Sequence, residues 1–316
     1  MTHRRPMFTD PRIQAEFDAN GYVKIPWLTG ADVSLLNALY ARLFVEARDG
    51  FFVSCALPDP GVKAAVRDGI AGVFEPSLRA TFVSPIPLQC SFITRTRGDG
   101  KTDYIPAHQD WTFVDETTGD VSLNVWCPLE ATHARNGNLW IVPASHRLPR
   151  HPRLAEPSPT AYQAYYDVLK QIAVPVPTQL GEALVFDNAA IHFSSTNQTE
   201  SLRLVAGATV IDRSSNPVLY YQNQENAGML DEYESGPEYF LQKPFGTRPD
   251  TFVRSIPKTE LVDVEGEIRR LYPTARLPGV SHAASPEAPP PPVEKGRSVL
   301  QRLFGRLAGS GRGLRS

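Results

Sequence analysis

Cysteine is scarce in this chain: three in 316 residues, Cys55, Cys90 and Cys127, scattered and odd in number. That excludes a disulfide-stapled scaffold and a cysteine-based zinc site, and a reducing cytoplasm is the expected location. An excess of charge of either sign is also lacking. Lys and Arg number 32 against 34 Asp and Glu, so the whole chain carries no nucleic-acid footprint. Long apolar runs are missing too; no stretch approaches the ~18 apolar residues of a transmembrane helix. The opening MTHRRPMFTDPRIQAEF has basic residues with no apolar run behind them, so it is not read as a signal peptide. There are no internal repeats.

What is present is 41% hydrophobic content, enough for one large core. Residues 1–280 are expected to form a single domain. DPRIQAEFDANG puts Pro11 at a helix start and Gly21 just past its end. In TGADVSLLNALYARLFVEA, Leu35, Leu36, Leu39, Leu43 and Phe44 suggest one apolar helix face, capped by Thr29 or Asp32. YVKIPWL between them reads as a short strand. From about Thr81 come short β-type runs bounded by Gly, Pro, Asn or Asp: TFVSPIPLQCSFITRTR, DVSLNVWCPLE, GNLWIVPAS, IAVPVP, EALVFDNAAIH and LRLVAGATVI. Strands of this size at close intervals predict a mainly β sandwich or barrel with flanking helices. SPTAYQAYYDVLKQI is expected to be helical, Pro149–Pro159 to be a polar insertion, and 214–260 to be long loops.

From Ser281 the composition changes. Residues 281–296 are a Pro-rich linker. Residues 297–316 place Val299, Leu300, Leu303, Phe304 and Leu307 on one helical face beside Arg297, Arg302 and Arg306. From Ser281 onward, six Lys or Arg stand against two Glu. A basic amphipathic element of this kind suits weak contact with an anionic membrane or a carrier protein; the plainer reading is a solubilising extension.

The chemistry concentrates in four residues. His108 and Asp110 in PAHQDW would share one strand face at positions i and i+2, with Gln109 and Trp111 on the other. His192 ends EALVFDNAAIH, and Arg203 follows eleven residues later in the next β-type run. Two imidazoles and one carboxylate hold a non-haem iron(II) on one side and leave its other side open. An antiparallel hairpin between the last two runs would bring Arg203 near His192. There its guanidinium is suited to clamp the far carboxylate of a 2-oxoglutarate cosubstrate. Each residue alone has an ordinary explanation, a polar strand face or a satisfied strand-end histidine; their order along successive predicted strands is what points to an oxygenase.

PAHQDWTF, VSLNVWCPLEATHARNGNLWIVPASHR and GEALVFDNAAIHFSSTNQTESLRL resemble the core of the phytanoyl-CoA dioxygenase family of iron(II)/2-oxoglutarate oxygenases. FDANGYVKIPWLTGADVSLLNAL is similar to that family's opening segment, so the resemblance runs from about Phe17 to Ile211. It implies a double-stranded β-helix core, a cupin-like jelly-roll. It also implies iron ligation by His108, Asp110 and His192, and Arg203 as the 2-oxoglutarate clamp. Trp126 matches an aromatic packed near the cosubstrate in relatives. Arg95 falls where many members carry a polar cosubstrate contact, with Gln89 or Thr112 as alternatives. Asn124 shares the strand face of Trp126. The cofactors implied are Fe(II), 2-oxoglutarate and O2, with ascorbate as an auxiliary. Retention of Asp110 favours hydroxylation over halogenation, since related halogenases lack that carboxylate.

Substrate contacts are expected from Tyr104, Trp111, Phe113, Tyr220 and Tyr221. No strong basic cluster suggests coenzyme A recognition, so the expected substrate is a small metabolite or lipid-like molecule. Competing functions are a jelly-roll that binds metal without turnover, a cupin enzyme that does not use 2-oxoglutarate, and a protein-modifying oxygenase. His146, in VPASHR, reads as structural and His133 as solvated.

Overall fold

The computed structural model describes residues 4–45, 50–97, 105–156, 162–244, 246–259, 261 and 263–275. Tyr104, the expected linker 281–296 and the basic element 297–316 lie outside them. Among the described residues no helix is long and apolar enough to cross a membrane.

The first helix, α1 (Pro11–Asn20), starts where Asp10 accepts from the Arg12 amide and stops at Gly21, whose φ of 80° is left-handed. A Cβ at Gly21 would lie 2.4 Å from His146 Nδ1, so this cap is also a packing contact. After β1 (Tyr22–Pro26), α2 (Gly30–Leu43) opens on a capping box between Thr29 and Asp32. It buries Val33, Leu36 and Tyr40. Leu35, expected on that face, is 61% exposed. Adjacent helical residues differ by about 100° in direction, so the buried stripe holds Leu36 and not Leu35.

Following β2 (Phe51–Val53) comes a helix in a stretch for which the sequence gives no expectation, α3 (Pro60–Thr81). Its buried Val66, Ile70, Phe74 and Leu78 recur every fourth residue, while Pro76, Gly69 and Gly72 obscure the pattern. Phe74 is fully buried and meets Trp27 edge-on at 5.5 Å. Phe74→Ala is expected to cost about 3–5 kcal/mol, read from urea unfolding; a loss below about 1 kcal/mol would mean that α3 is loosely attached.

Ten strands and one short helix follow to the end of the core and its cover. They are β3 (Pro85–Arg95), β4 (Ile105–His108), β5 (Ser122–Pro128), β6 (Leu139–Ile141), α4 (Tyr166–Leu169), β7 (Val174–Val176), β8 (Glu182–Asp187), β9 (His192–Ser194), β10 (Arg203–Asp212), β11 (Val218–Gln222) and β12 (Met229–Glu234). Then come α5 (Pro237–Gln242), β13 (Phe252–Pro257) and α6 (Val264–Leu271). An antiparallel sheet β1-β8-β5-β10-β3-β2 faces a smaller one, β4-β9-β6-β7. Trp126, Leu184, Phe186 and Val205 of the large sheet pack on Leu139, Ile141 and Val176 of the small one. This is the jelly-roll core with helices on its outside. β10 is buried at all but its last residue, because α3 covers one face and the small sheet the other. A strand buried on both faces reads as a continuous apolar run, as VAGATVI does.

One expectation is corrected. Residues 214–260 are not long loops: β11, β12 and β13 form a three-stranded antiparallel sheet. Its edge strand β13 is mostly exposed, which keeps the apolar signal low. In SPTAYQAYYDVLKQI, expected to be helical, the described residues 163–172 are helical as a 3-10 turn, the single-turn α4 and a second 3-10 turn, and Tyr162 and Leu169 are fully buried there.

Candidate active site

His108 ends β4 and His192 begins β9, and the two are direct partners in the antiparallel ladder. Their rings therefore face each other, with centroids 4.2 Å apart. Asp110 does not share a strand with His108, as the spacing had suggested. The chain leaves β4 after His108, and the Asp110 amide is captured by the Asn188 carbonyl at 2.9 Å. Asn188 belongs to the turn joining β8 to β9. His192 thus opens a separate short strand and does not close the run EALVFDNAAIH. Gln109 donates from Nε2 to the Ala189 carbonyl, and both it and Trp111, expected on the face away from His108 and Asp110, line the cavity.

Asp110 Oδ1 lies 3.6 Å from His108 Nε2 and 3.8 Å from His192 Nε2. One donor atom from each of the three residues falls within 4.8 Å of the others. Both imidazoles are fixed by the same device. His108 Nδ1 lies 2.8 Å from the Pro106 carbonyl and His192 Nδ1 lies 3.0 Å from the Ala190 carbonyl, each two residues back. A carbonyl only accepts, so each Nδ1 carries the proton and each Nε2 presents a lone pair inward. Two neutral imidazole nitrogens and one carboxylate are the donor set that suits a divalent first-row metal such as iron(II).

The electrostatics agree with that donor chemistry. Burial works to raise the Asp110 carboxyl, but His192, His108 and the Asn124 amide outweigh it and hold it at about 2. Burial and the neighbouring His108 push His192 down to about 4. His108 is raised: burial opposes its charge, but the hydrogen bond and charge of Asp110 prevail. A cation at the centre of the three would take over the part the proton plays there.

Arg203 is not reached by a hairpin from His192. It opens β10 in the large sheet, while β9 belongs to the small one, so the two residues face each other across the sandwich. Its side chain is 1% exposed and its guanidinium lies 5.5 Å from the Trp126 ring centre. Nη1 donates to the Gly137 carbonyl, and Nε is buried without a hydrogen-bond partner among the described residues. Burial, with Arg95 next, pulls Arg203 down to about 9, against the opposing charge of Glu130. Gly137 has φ of 81°, and a Cβ there would lie 2.7 Å from the Ser195 carbonyl and 3.3 Å from Arg203 Nη1. That turn therefore touches the arginine.

A cavity of about 1260 Å³ opens between the sheets. His108, Asp110, His192, Arg203, Trp126, Asn124 and Gln89 line it, and so do Trp111 and Phe113. Four other expected residues are not on its wall. Thr112 accepts from the Arg153 amide with its hydroxyl. Arg95 donates to the Ser195 carbonyl and stacks 5.3 Å over Phe51. Tyr220 is buried beside Glu232, and Tyr221 donates to the Thr247 carbonyl. Those two tyrosines lie on β11, whose inner contacts are packing. His146 is buried, bonded to the Asp18 carbonyl, and outside the cluster of three.

Sequence reasoning missed Arg153. It sits in the supposed Pro-rich insertion, yet it lines the cavity and donates from Nε to the Asp110 carbonyl at 2.7 Å. Only its burial, 3% exposed, would have singled it out, and the sequence of that segment carries no periodicity that reveals burial.

A jelly-roll holding this donor set over a cavity with a buried arginine defines the class of iron(II)/2-oxoglutarate-dependent oxygenases. Residues 52–205, just under half of the protein, match the profile of the family described as phytanoyl-CoA dioxygenase (PhyH). The protein is an enzyme of the oxygenase type that uses iron, 2-oxoglutarate and O2. No curated protein matches it in sequence. Among solved structures, the non-heme α-ketoglutarate-dependent epimerase SnoN from nogalamycin biosynthesis is 20% identical, over 79% of this chain and 92% of that one, with a TM-score of 0.50. This likeness bears on the fold. EctD from S. alaskensis, solved with 2-oxoglutarate and 5-hydroxyectoine, is 17% identical over 69% of this chain and 84% of its own, with a TM-score of 0.46. HygX from Streptomyces hygroscopicus, solved with nickel, 2-oxoglutarate and hygromycin B, is 16% identical over 65% and 88%, with a TM-score of 0.47.

Proposed function

We propose that the protein hydroxylates a C–H bond of a free small molecule, with His108, Asp110 and His192 holding Fe(II) and Arg203 holding the far carboxylate of 2-oxoglutarate. When bound, iron and 2-oxoglutarate supply the O2-driven oxidation, one oxygen atom entering the substrate as hydroxyl and the other entering succinate as CO2 leaves. The observation that carries this reading is the pair of inward Nε2 lone pairs and the Asp110 carboxylate in one cavity with Arg203. The chain's own residues do the positioning. The Pro106 and Ala190 carbonyls fix the imidazoles, Asn124 steadies Asp110 Oδ2 at 3.4 Å, and Trp126 and Gln89 shape the cosubstrate end. Trp111 and Phe113 offer an apolar surface to the substrate and help to exclude water.

The wall also speaks to substrate class. Its cations besides Arg203 are Arg153, already paired with Glu116, and Lys258. A coenzyme A thioester brings several phosphate charges and would find too few partners, so a free, largely apolar molecule fits better. The volume exceeds the ~300–1,000 Å³ usual for ligand pockets, leaving room for a sizeable substrate beside the cosubstrate. A metal binder without turnover would have no use for Arg203, which is buried at an electrostatic cost. We take residues 1–280 as the catalytic unit, 281–296 as linker and 297–316 as a basic appendage. The three free cysteines support a cytoplasmic setting.

The test is anaerobic titration of the Fe(II)-loaded protein with 2-oxoglutarate, followed by the weak visible charge-transfer absorption of an iron-chelated keto acid. A saturable band is expected. Iron bound with no band would leave a metal-binding jelly-roll or a cupin enzyme of another kind.

A further inference from the structure

Behind the three donor residues runs a chain of buried ion pairs that the oxygenase chemistry does not itself require. Arg153 grips Glu116 with both terminal nitrogens, at 2.7 and 3.1 Å. Glu116 also pairs with Arg150 at 2.9 Å, and Arg150 pairs with Asp187 at 2.8 Å. Asp187 is paired with Arg4 as well. The side chains of Arg153, Glu116 and Asp187 are 2%, 7% and 1% exposed. Burying charges is costly, and a network of this kind is retained where it fixes a geometry.

Its two ends reach the two segments that carry donors. At one end, Arg153 Nε donates to the Asp110 carbonyl at 2.7 Å. The segment is strapped down twice more: the Thr112 amide donates to the Arg153 carbonyl at 3.1 Å, and the Arg153 amide to Thr112 Oγ1 at 2.9 Å. At the other end, Asp187 Oδ1 accepts from the Ala189 amide at 2.7 Å and so closes the turn before β9. That turn supplies the Asn188 carbonyl that holds the Asp110 amide and the Ala190 carbonyl that holds His192 Nδ1. The carboxylate donor and one imidazole donor are thereby tied to a single ionic frame, without any of its side chains belonging to the donor cluster.

We propose that Arg153 is a positioning residue that, held by Glu116, sets the orientation of the Asp110 carboxylate toward the metal. This rests on the reading of Asp110 as a metal ligand. Arg153 acts through its Nε bond to the Asp110 main chain, so a lysine, which keeps the charge but loses the planar fork, cannot bond Glu116 and Asp110 in the same way.

The experiment is anaerobic titration of the full chain with Co(II) alone, reading both the dissociation constant and the d–d absorption, which reports the number and arrangement of ligands. Four proteins are compared: wild type, Arg153→Ala, Arg153→Lys and Val66→Ala. The last lies in α3, on the outside of the large sheet, and lowers stability without touching the frame. Arg153→Ala is expected to weaken Co(II) roughly ten- to hundredfold and to alter the d–d spectrum. Arg153→Lys, the milder change should the alanine variant fail to fold, is expected to fall between it and wild type. Val66→Ala should lower the melting temperature with affinity and spectrum unchanged. Wild-type affinity and spectrum in a folded Arg153 variant would overturn the proposal, as would equal changes in Val66→Ala. A wild type that does not bind Co(II) at all would instead overturn the metal reading, and this inference with it.

Discussion

Asp110→Ala is expected to weaken Fe(II) binding by on the order of a thousandfold and to abolish 2-oxoglutarate consumption. Asp110 is the one anionic donor in the cluster of three, and His192 is pushed down toward the neutral form by burial. Removing the carboxylate leaves two neutral nitrogens that hold a dication poorly. Protein metal sites bind with roughly 10–16 kcal/mol shared by three or four ligands, so one ligand carries about 3–5 kcal/mol, or about 10²–10⁴ in dissociation constant. The fold should survive, because the Asp110 side chain is 22% exposed and its main-chain bonds to Asn188 and Arg153 do not involve the carboxylate. Calorimetric titration with Fe(II) under nitrogen, paired with circular dichroism, separates the two effects. An intact variant that keeps its iron affinity to within about tenfold would remove Asp110 from the ligand set.

The sequence made the donor identities legible and left their geometry hidden, for a physical reason. Residue type restricts chemistry: two imidazoles, a carboxylate and a guanidinium have few joint uses. Spacing, in contrast, speaks only within one regular element. His108 and Asp110 straddle a strand end, and His192 and Arg203 lie on different sheets, so neither the i, i+2 rule nor the hairpin rule applied where it had been used. Both guesses still led to the right neighbourhood, because the jelly-roll closes those sheets on one another. Strands β8 and β10 were visible as dense apolar runs. Helix α3 was obscured by Pro76 and two glycines, and the sheet from β11 to β13 by its exposed edge. Arg153 and Glu116 could not be read at all. A charged residue in a polar segment looks solvated until tertiary contacts reveal that it is buried and paired.

Arg203→Met is expected to move stability and cosubstrate affinity in opposite directions. In the folded protein Arg203 is pulled well below the ordinary arginine range to about 9, chiefly by burial and then by Arg95. A base whose folded pKa lies below its unfolded one destabilises the fold at every pH below the folded value. The penalty fades only as pH rises from about 9 toward the ordinary arginine range, so at neutral pH it is present in full. Methionine has a similar length and no charge to desolvate, and replacing buried charge with apolar volume commonly stabilises by about 1–4 kcal/mol. Loss of the bond to the Gly137 carbonyl offsets roughly 0.5–1.5 kcal/mol of that. The melting temperature without ligand should therefore hold or rise. The dissociation constant for 2-oxoglutarate should rise by roughly 30-fold to several thousandfold, the range of about 2–5 kcal/mol for truncating one partner of a buried charge pair. In wild type, added 2-oxoglutarate should raise the melting temperature; in the variant that shift should vanish. A purely structural arginine would behave in the reverse manner, with a less stable fold and an undiminished shift. That pattern would take the cosubstrate away from Arg203 and leave the iron site to find its second carboxylate anchor elsewhere on the cavity wall.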